Sequence, residues 1–168
     1  MIKSMETNMQ LIVLLLGILC TGLTAGLCFT WSNAVTPGIG QLDDLTFLKS
    51  FQAMNQAILN QSFFVVFFSP ALLLFLNAFL HRSANRTTFV AFLAAAVLFA
   101  LGVGLITIFK NVPLNDILEN SVLESLSVKE LRKLRKQFEG PWNAWHMGRT
   151  ISSFVSFVLL LIGLVYNG

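Results

Sequence analysis

Charged side chains are scarce in this chain, because Asp, Glu, Lys and Arg make up only 11% of its 168 residues. A soluble globular domain usually carries about 25% of these residues, so the shortage argues against a water-soluble fold. The net charge of +3 does not indicate a nucleic-acid partner. With only two cysteines there is no disulfide framework. Cys20 and Cys28 lie within one apolar run, and we interpret both as small packing residues.

Metal-binding patterns are missing as well. The chain has two histidines, and the topology described below puts His81 at the membrane face opposite His146. The acidic residues that could join His146 show no spacing typical of metal ligands; they are Asp43, Asp44, Asp116 and Glu119. We therefore predict no metal site, and a glycine-rich phosphate loop is absent too.

Apolar residues are abundant: they make up 55% of the chain and include sixteen phenylalanines. Crossing the roughly 30 Å hydrocarbon core of a bilayer takes about 20 helical residues, and four apolar runs come close to or exceed this length. The runs are continuous rather than alternating, which favours helices over barrel strands. We predict an all-α membrane protein, a four-helix transmembrane bundle in one domain over residues 1–168. Its predicted spans cover approximately residues 9–35, 63–80, 87–109 and 149–166.

The first run has a second interpretation. Small residues near Thr21–Gly26 could mimic the cleavage site of a signal peptide. The apolar stretch continues through Trp31, which is longer than such peptides usually are, so a membrane span is the preferred interpretation.

The first long connection, residues 36–62, predicts a turn at residues 36–40 and then a short amphipathic helix. Asp43 and Asp44 mark the start of this helix, and Phe47 and Phe51 follow at helical spacing. We expect the helix to lie on the membrane interface or dip into it.

The second long connection, residues 110–148, predicts two further short helices. Asn115 is a good N-cap for the first, and Ser127 with Glu130 forms a capping box for the second. Gly140-Pro141 should end the second helix. We interpret NVPLN, residues 111–115, as a turn, because proline disfavours a helical conformation of the residue before it.

Four spans place both long connections on one membrane face, and that face carries eight of the eleven Lys and Arg residues. Positive-inside counting then puts the long loops in the cytoplasm, and we expect an integral protein of the bacterial cytoplasmic membrane. Five of these charges lie in the basic segment Lys129–Lys136. This segment could contact anionic lipid heads, although a solvated helix face with Glu130 and Glu139 mixed in is the simpler interpretation.

Small residues recur at four-residue spacing in three predicted spans, which favours close helix contacts in lipid. These contacts could lie within one chain or between copies, so a homo-oligomer through these faces is one expectation. The other expected partners are membrane lipids and a lipophilic small molecule. The small-residue positions are Gly22 and Gly26; Ala96, Ala100 and Gly104; and Gly148, Ser152 and Ser156.

Four short motifs on the long-loop face together resemble the anthrone-oxygenase-like family of small four-span membrane proteins. The resemblance covers nearly the whole chain, although the family often has Arg, Pro and Asn where this chain has Gln56, Gln61 and His146. It implies enzymes that oxidise anthrones to anthraquinones with O₂ and without a metal or flavin, so no cofactor is expected. Most bacterial members have no assigned activity. The motifs are Asn33 with Thr36-Pro37, Gln52–Asn60, Asn111–Asn115 and Trp142–Thr150.

Oxidation of an anthrone requires an apolar slot, a base and donors that stabilise an enolate-like oxygen. His146 is the candidate base on this face, Arg149 and nearby amides could hold the oxyanion, and the tryptophans could stack on a ring. Residues 142, 145, 146 and 149 share one helix face. We predict catalytic roles for His146 and Arg149, and substrate binding by Asn33, Asn55, Asn111, Asn115, Trp142 and Trp145.

Two alternatives stay open at this point. Trp at the membrane interface commonly anchors a helix, and Arg there can snorkel to a phosphate, so the same residues could be anchors. The protein could accordingly be an oxygenase-like enzyme, or a non-enzymatic lipid- or quinone-binding protein or small subunit of a membrane complex. A shared apolar cavity would favour a binding site if it reaches Asn55, Asn111, Asn115, His146 and Arg149.

Overall fold

Four helices of the computed structural model are long and apolar enough to cross a membrane, which confirms the predicted all-α, four-span membrane protein. The structure describes the backbone of residues 2–167 and the side chains of residues 8–167. The side chain of Lys3, a basic residue expected on the membrane face opposite the long connections, therefore lies outside the described part. Gly168 lies outside it entirely. The four candidate spans are Asn8–Ile39, Gln61–Leu80, Arg86–Glu119 and Val128–Val165.

Within residues 2–167, seven α-helical segments and three π-helical segments build these spans and the connections between them. The first span comprises α1 (Ile2–Thr30), a π-helical segment at Trp31–Val35, and α2 (Thr36–Ile39). Next come α3 (Asp44–Ile58) and α4 (Gln61–Leu80). The third span comprises α5 (Arg86–Phe99), π-helical segments at Ala100–Leu105 and Thr107–Asn111, and α6 (Val112–Glu119). A 3₁₀ turn at Leu123–Ser125 leads to α7 (Val128–Val165).

The bundle core is an apolar cluster between the spans, built from large side chains such as Phe67, Leu74, Phe92, Phe99 and Leu160. Lipid tails are as apolar as this core, so helix association in a membrane depends on close packing. Gly22 and Gly26 are the small residues at four-residue spacing in the first span. Gly22 makes a close contact, because a Cβ there would lie 2.9 Å from the Phe157 ring. Gly26 has open space at the same position. At least one glycine of the pair thus serves packing within the chain.

Helix α3 confirms the amphipathic helix predicted for the first connection. Asp43 is its N-cap and accepts hydrogen bonds from the Leu45 and Thr46 backbone N–H groups, both at 3.1 Å. Its apolar face is covered by other helices of the protein. Phe47, Leu48 and Phe51 are buried in a second apolar cluster with residues of α6 and α7, including Leu118, Phe138 and Trp142.

Arg135 of α7 fastens the first connection to this helix. Its guanidinium donates to the Gly40 and Leu42 carbonyls, each at 2.7 Å, and its Nε lies 2.7 Å from a Glu139 carboxylate oxygen. Asp44 adds a further contact at 3.3 Å. At least one charge of the basic segment therefore has a structural role.

Helix α7 differs from the prediction for the second long connection. The Ser127 capping box is present, but Gly140-Pro141 does not end the helix, which runs unbroken into the fourth span. The predicted stop was wrong because a proline restricts its predecessor partly through that residue's Cβ, and Gly140 has none. The amphipathic segment and the fourth span are therefore one helix of 38 residues.

The predicted turns at NVPLN and at residues 36–40 were wrong for a different reason, the position of each proline in its helix. Asn111 (φ −74°, ψ −42°) and Val112 (φ −60°, ψ −49°) are helical, so the Asn111 side chain caps no helix end and Asn115 lies inside α6. Residues 36–39 are helical as well. In both places a proline follows a π-helical segment and occupies the first turn of the next α-helix, where its missing N–H is tolerated.

Candidate functional site

One cavity of about 150 Å³ lies where the first span, α3, the start of α4, the third span and α7 meet. Its walls are mainly aromatic and aliphatic, with Phe51, Phe63 and Phe67 among them. The polar side chains predicted to share a cavity all line it. These are Asn55, Asn111, Asn115, His146 and Arg149.

Helix α7 brings three residues to the cavity through its periodicity. Trp142, His146 and Arg149 follow at i, i+4 and i+7, which places them on one face, and all three are buried and line the cavity. Trp145 does not line the cavity. It is 39% exposed, and the Lys110 ammonium lies 5.0 Å from its ring centroid. Asn33 is exposed and lies outside the lining too.

His146 is held in a defined position by two contacts. Its ring stacks on Trp142, with centroids 4.7 Å apart and planes 14° from parallel. Its Nε2 lies 3.1 Å from the Cys28 carbonyl oxygen, 118 residues away in sequence. A carbonyl only accepts, so Nε2 carries the hydrogen, and Nδ1 of the neutral ring is then an acceptor. Nδ1 is buried and has no partner among the described residues.

Arg149 is a buried cation that makes no ion pair with any described carboxylate. It is 9% exposed, and its Nε has no hydrogen-bond partner within the described part of the chain. Its guanidinium carbon lies 5.4 Å from the Phe67 ring centroid and 6.0 Å from that of Trp142. Such cation–π contacts compensate a buried charge only in part. A ligand with a negative or partly negative oxygen would therefore be favoured here.

Asn111 and Asn115 hold Trp142 in place. The Asn111 side-chain amide donates to the Trp142 carbonyl at 3.2 Å, and the Trp142 indole N–H donates to Asn115 Oδ1 at 2.7 Å. The amides of NVPLN thus position the ring on which His146 stacks. The Asn111 Oδ1 atom is buried without a partner among residues 8–167. Asn111 ends a π-helical segment, and π-bulges are frequent at functional sites.

Trp31 also belongs to this site, although the sequence did not indicate it. It begins the π-helical segment of the first span, and its ring centroid lies 6.0 Å from that of Trp142 and 6.5 Å from that of His146. Its indole N–H is buried without a described partner. A Trp near a span end looks like an interface anchor, so no pattern in the sequence connected it to His146. Thr107 also lines the cavity. It was not predicted as a site residue, because no local sequence pattern marks it.

The lining residues account for half of the buried side-chain polar atoms that lack a hydrogen-bond partner in the described part of the chain. Trp31 Nε1 and Arg149 Nε are donors, and Asn111 Oδ1 and His146 Nδ1 are acceptors. Buried polar groups are normally satisfied, and each unmet one costs about 1–3 kcal/mol. A hydroxyl or enol can both accept and donate, so it is the ligand group that this set matches.

A model of one protein family, described as anthrone oxygenase, matches residues 54–159 of the chain. The matched region includes the α7 residues of the cavity and both NVPLN amides, whereas Trp31 and Cys28 lie outside it. No curated protein and no solved structure matches the chain. Among the described residues, no group of three His, Cys, Asp or Glu side chains is arranged to hold a metal ion.

Proposed function

Because the chain belongs to the anthrone oxygenase family, we propose that its cavity binds a lipophilic aromatic or quinol-like molecule with an ionisable ring oxygen. We further propose that the protein is an oxidoreductase that passes electrons from this ligand to O₂. The observation that supports this proposal most directly is the set of unpartnered donors and acceptors, together with the unpaired Arg149, in an otherwise apolar cavity. Apolar walls with a few convergent polar groups are typical of small-molecule sites.

In the proposed mechanism the hydroxyl or enol of the ligand donates to Nδ1 of His146. The same oxygen accepts hydrogen bonds from Arg149 and Trp31. Transfer of the proton to His146 leaves an oxyanion that the Arg149 charge stabilises, in a cavity where little water weakens the interaction. The resulting anion is electron-rich and can reduce O₂. His146 is thus proposed as the base and Arg149 as the electrostatic stabiliser.

The atom balance of the reaction implied by the family is simple. An anthrone methylene loses two hydrogens and becomes a carbonyl, one oxygen atom of O₂ enters that carbonyl, and the other leaves as water. The chain contributes the proton acceptor, the counter-charge and an apolar enclosure. Asn55, Asn115 and Trp142 are proposed to contact the ligand. Asn33 and Trp145 are assigned no contact, because neither lines the cavity.

The second candidate function is binding without catalysis, as a lipid- or quinone-binding protein or a small subunit of a membrane complex. The observation that favours it is the composition of the lining, where His146 is the one side chain that ordinarily exchanges protons near neutral pH. Both candidates share the binding step and differ in turnover.

The decisive experiment measures O₂ consumption by the protein in lipid nanodiscs with 1,8-dihydroxyanthrone and with 2-methylhydroquinone. We expect oxidation of at least one compound above the rate of empty nanodiscs. Removal of an oxyanion donor typically lowers kcat by about 10²–10³-fold, so Arg149→Gln should lose most of the rate. Trp145→Phe, which changes α7 outside the cavity, should keep it.

Binding without turnover would favour the second candidate. Mass spectrometry of small molecules that copurify with the protein tests the binding step by itself. A cavity that neither retains a copurifying aromatic molecule nor binds either compound would overturn both candidates.

A further inference from the structure

The cavity has a polar inner end and an apolar outer edge, and these two ends differ in exposure. His146, Arg149 and Asn111 at the inner end are all buried. At the outer edge Leu59, Phe64 and Val112 line the same cavity and are 56%, 46% and 41% exposed. The cavity therefore opens at this edge, between the start of α4 and the end of the third span.

The open edge continues into surfaces that face lipid. On α4, Phe64 and Phe68 begin an exposed apolar stripe that continues with Leu72, one turn further along the span. On the third span, Ile108 lies one turn before Val112 and is 49% exposed. Apolar stripes of this kind on membrane-spanning helices face the hydrocarbon region. The mouth of the cavity is thus a lateral opening toward the bilayer.

The volume of the cavity limits which part of a ligand fits inside it. An apolar protein cavity of about 150 Å³ is large enough for benzene, and this cavity has the same volume. One aromatic ring therefore fits inside, while three fused rings do not fit entirely within the cavity. Any larger portion of a ligand must extend through the mouth, where the surrounding surface is apolar.

We propose that the ligand is a single phenolic or quinol ring with a hydrocarbon tail, which enters sideways from the membrane with its ring hydroxyl toward Arg149 and its tail between Phe64 and Val112. This inference rests on the proposed function and defines its ligand class more narrowly. The unpartnered polar atoms at the inner end favour entry of the ring first. A lipid acyl chain entering first would leave these atoms unsatisfied.

The test compares two probes with the same ring, 2-methylhydroquinone and 2-decylhydroquinone, bound under argon to protein in nanodiscs. Quenching of Trp fluorescence reports binding, in a Trp145→Phe background where Trp31 and Trp142, both at the cavity, give the signal. Val112→Phe narrows the mouth, and Ile108→Phe is the matched control because it introduces the same phenyl ring one turn away, outside the lining. A mismatch in a close-fitting apolar passage changes affinity by about tenfold or more.

We expect Val112→Phe to weaken 2-decylhydroquinone binding at least about tenfold and to leave 2-methylhydroquinone binding unchanged. Ile108→Phe should change the binding of neither probe. If 2-methylhydroquinone binds in an Arg149-dependent manner but Val112→Phe does not weaken the decyl probe, the lateral route is wrong and the proposed function stands. Tighter binding of 1,8-dihydroxyanthrone than of either probe, insensitive to Val112→Phe, would overturn the single-ring ligand. Binding of 1,8-dihydroxyanthrone alone, with neither hydroquinone bound by the parent protein, would likewise overturn the single-ring ligand, whereas failure of all three compounds to bind would contradict the proposed function.

Discussion

Two arginines of α7, fourteen positions apart, differ in how their charge is compensated. Arg135 contacts two carboxylates and two backbone carbonyls, whereas Arg149 contacts aromatic rings and no described carboxylate. Removing a paired charge leaves its partners unsatisfied, whereas replacing a buried charge that has only cation–π contacts removes its desolvation cost and loses only those contacts. The structural role of one arginine and the proposed binding role of the other follow from this difference.

Substitution of the two arginines by Met should therefore change stability in opposite directions. Arg149→Met should raise the apparent melting temperature, because it removes the desolvation cost of a buried charge that has no ion-pair partner among the described residues, while hydroquinone binding is lost. Arg135→Met should lower it, since hydrogen bonds to charged groups contribute about 1.5–3 kcal/mol. Differential scanning fluorimetry in detergent measures both. A stability loss for Arg149→Met equal to that of Arg135→Met would show that Arg149 is structural.

Asn115 supports the cavity through one hydrogen bond, accepted from the Trp142 indole at 2.7 Å. Asn115→Ala should destabilise the protein by about 1 kcal/mol and weaken probe binding, because the Trp142 ring loses its fixed orientation. Asn33→Ala is the control, since Asn33 is exposed and outside the cavity. Thermal unfolding and the fluorescence titration measure the two effects, and identical behaviour of the two variants would contradict this role.

At the scale of elements, α3 covers the cavity from the loop side, and its start depends on one capping residue. The Thr46 hydroxyl, donating at 2.6 Å, and the Thr46 backbone N–H hold the pKa of the Asp43 carboxyl below its usual value. A carboxyl whose pKa is lower in the folded state stabilises the fold above its unfolded pKa of about 4. This contribution is lost as the pH falls through the folded pKa.

The pH dependence of this cap can be tested with Asp43→Asn, which keeps an N-capping amide oxygen but does not titrate. Below about pH 4 the wild-type protein should lose stability that the Asn variant does not lose. Above this pH the difference between the two proteins should be constant. Melting temperatures measured from pH 3 to pH 7 give the comparison, and parallel curves over the whole range would rule out a contribution from Asp43 titration.

At the scale of the whole molecule, the four spans approach closely where glycine faces a large side chain. A Cβ added at Gly163 would collide with the ring of Phe92, which is fully buried, whereas one added at Gly26 would meet no atom within 4 Å. Both positions lie in membrane helices and would gain the same helix propensity from alanine. They differ only in available space.

Gly163→Ala should therefore destabilise the bundle by about 1–3 kcal/mol through overpacking, and Gly26→Ala should not. The measurement is the apparent melting temperature in detergent, with size-exclusion chromatography to follow the oligomeric state. If Gly26→Ala disrupts an oligomer while Gly163→Ala leaves stability unchanged, the small-residue faces serve contacts between copies rather than within the chain.

Local features of the chain determined the fold class by themselves. Long apolar runs must satisfy their backbone groups internally in a membrane, so the four spans followed from hydropathy. The Ser127 capping box and the shared face of Trp142, His146 and Arg149 followed from spacing along one helix. Each depends only on residues a few positions apart.

Contacts between distant segments were decided by the tertiary structure. Pro113 is tolerated because it lies in the first turn of α6, which follows a π-helical segment, and Pro141 lies inside α7 after Gly140, which has no Cβ. The participation of Trp31, and the pairing of Arg135 but not Arg149, depended on elements about a hundred residues apart. Propensity and spacing act over a few residues, whereas a cavity forms from whatever the packed helices leave between them, so only the assembled bundle brings these side chains together.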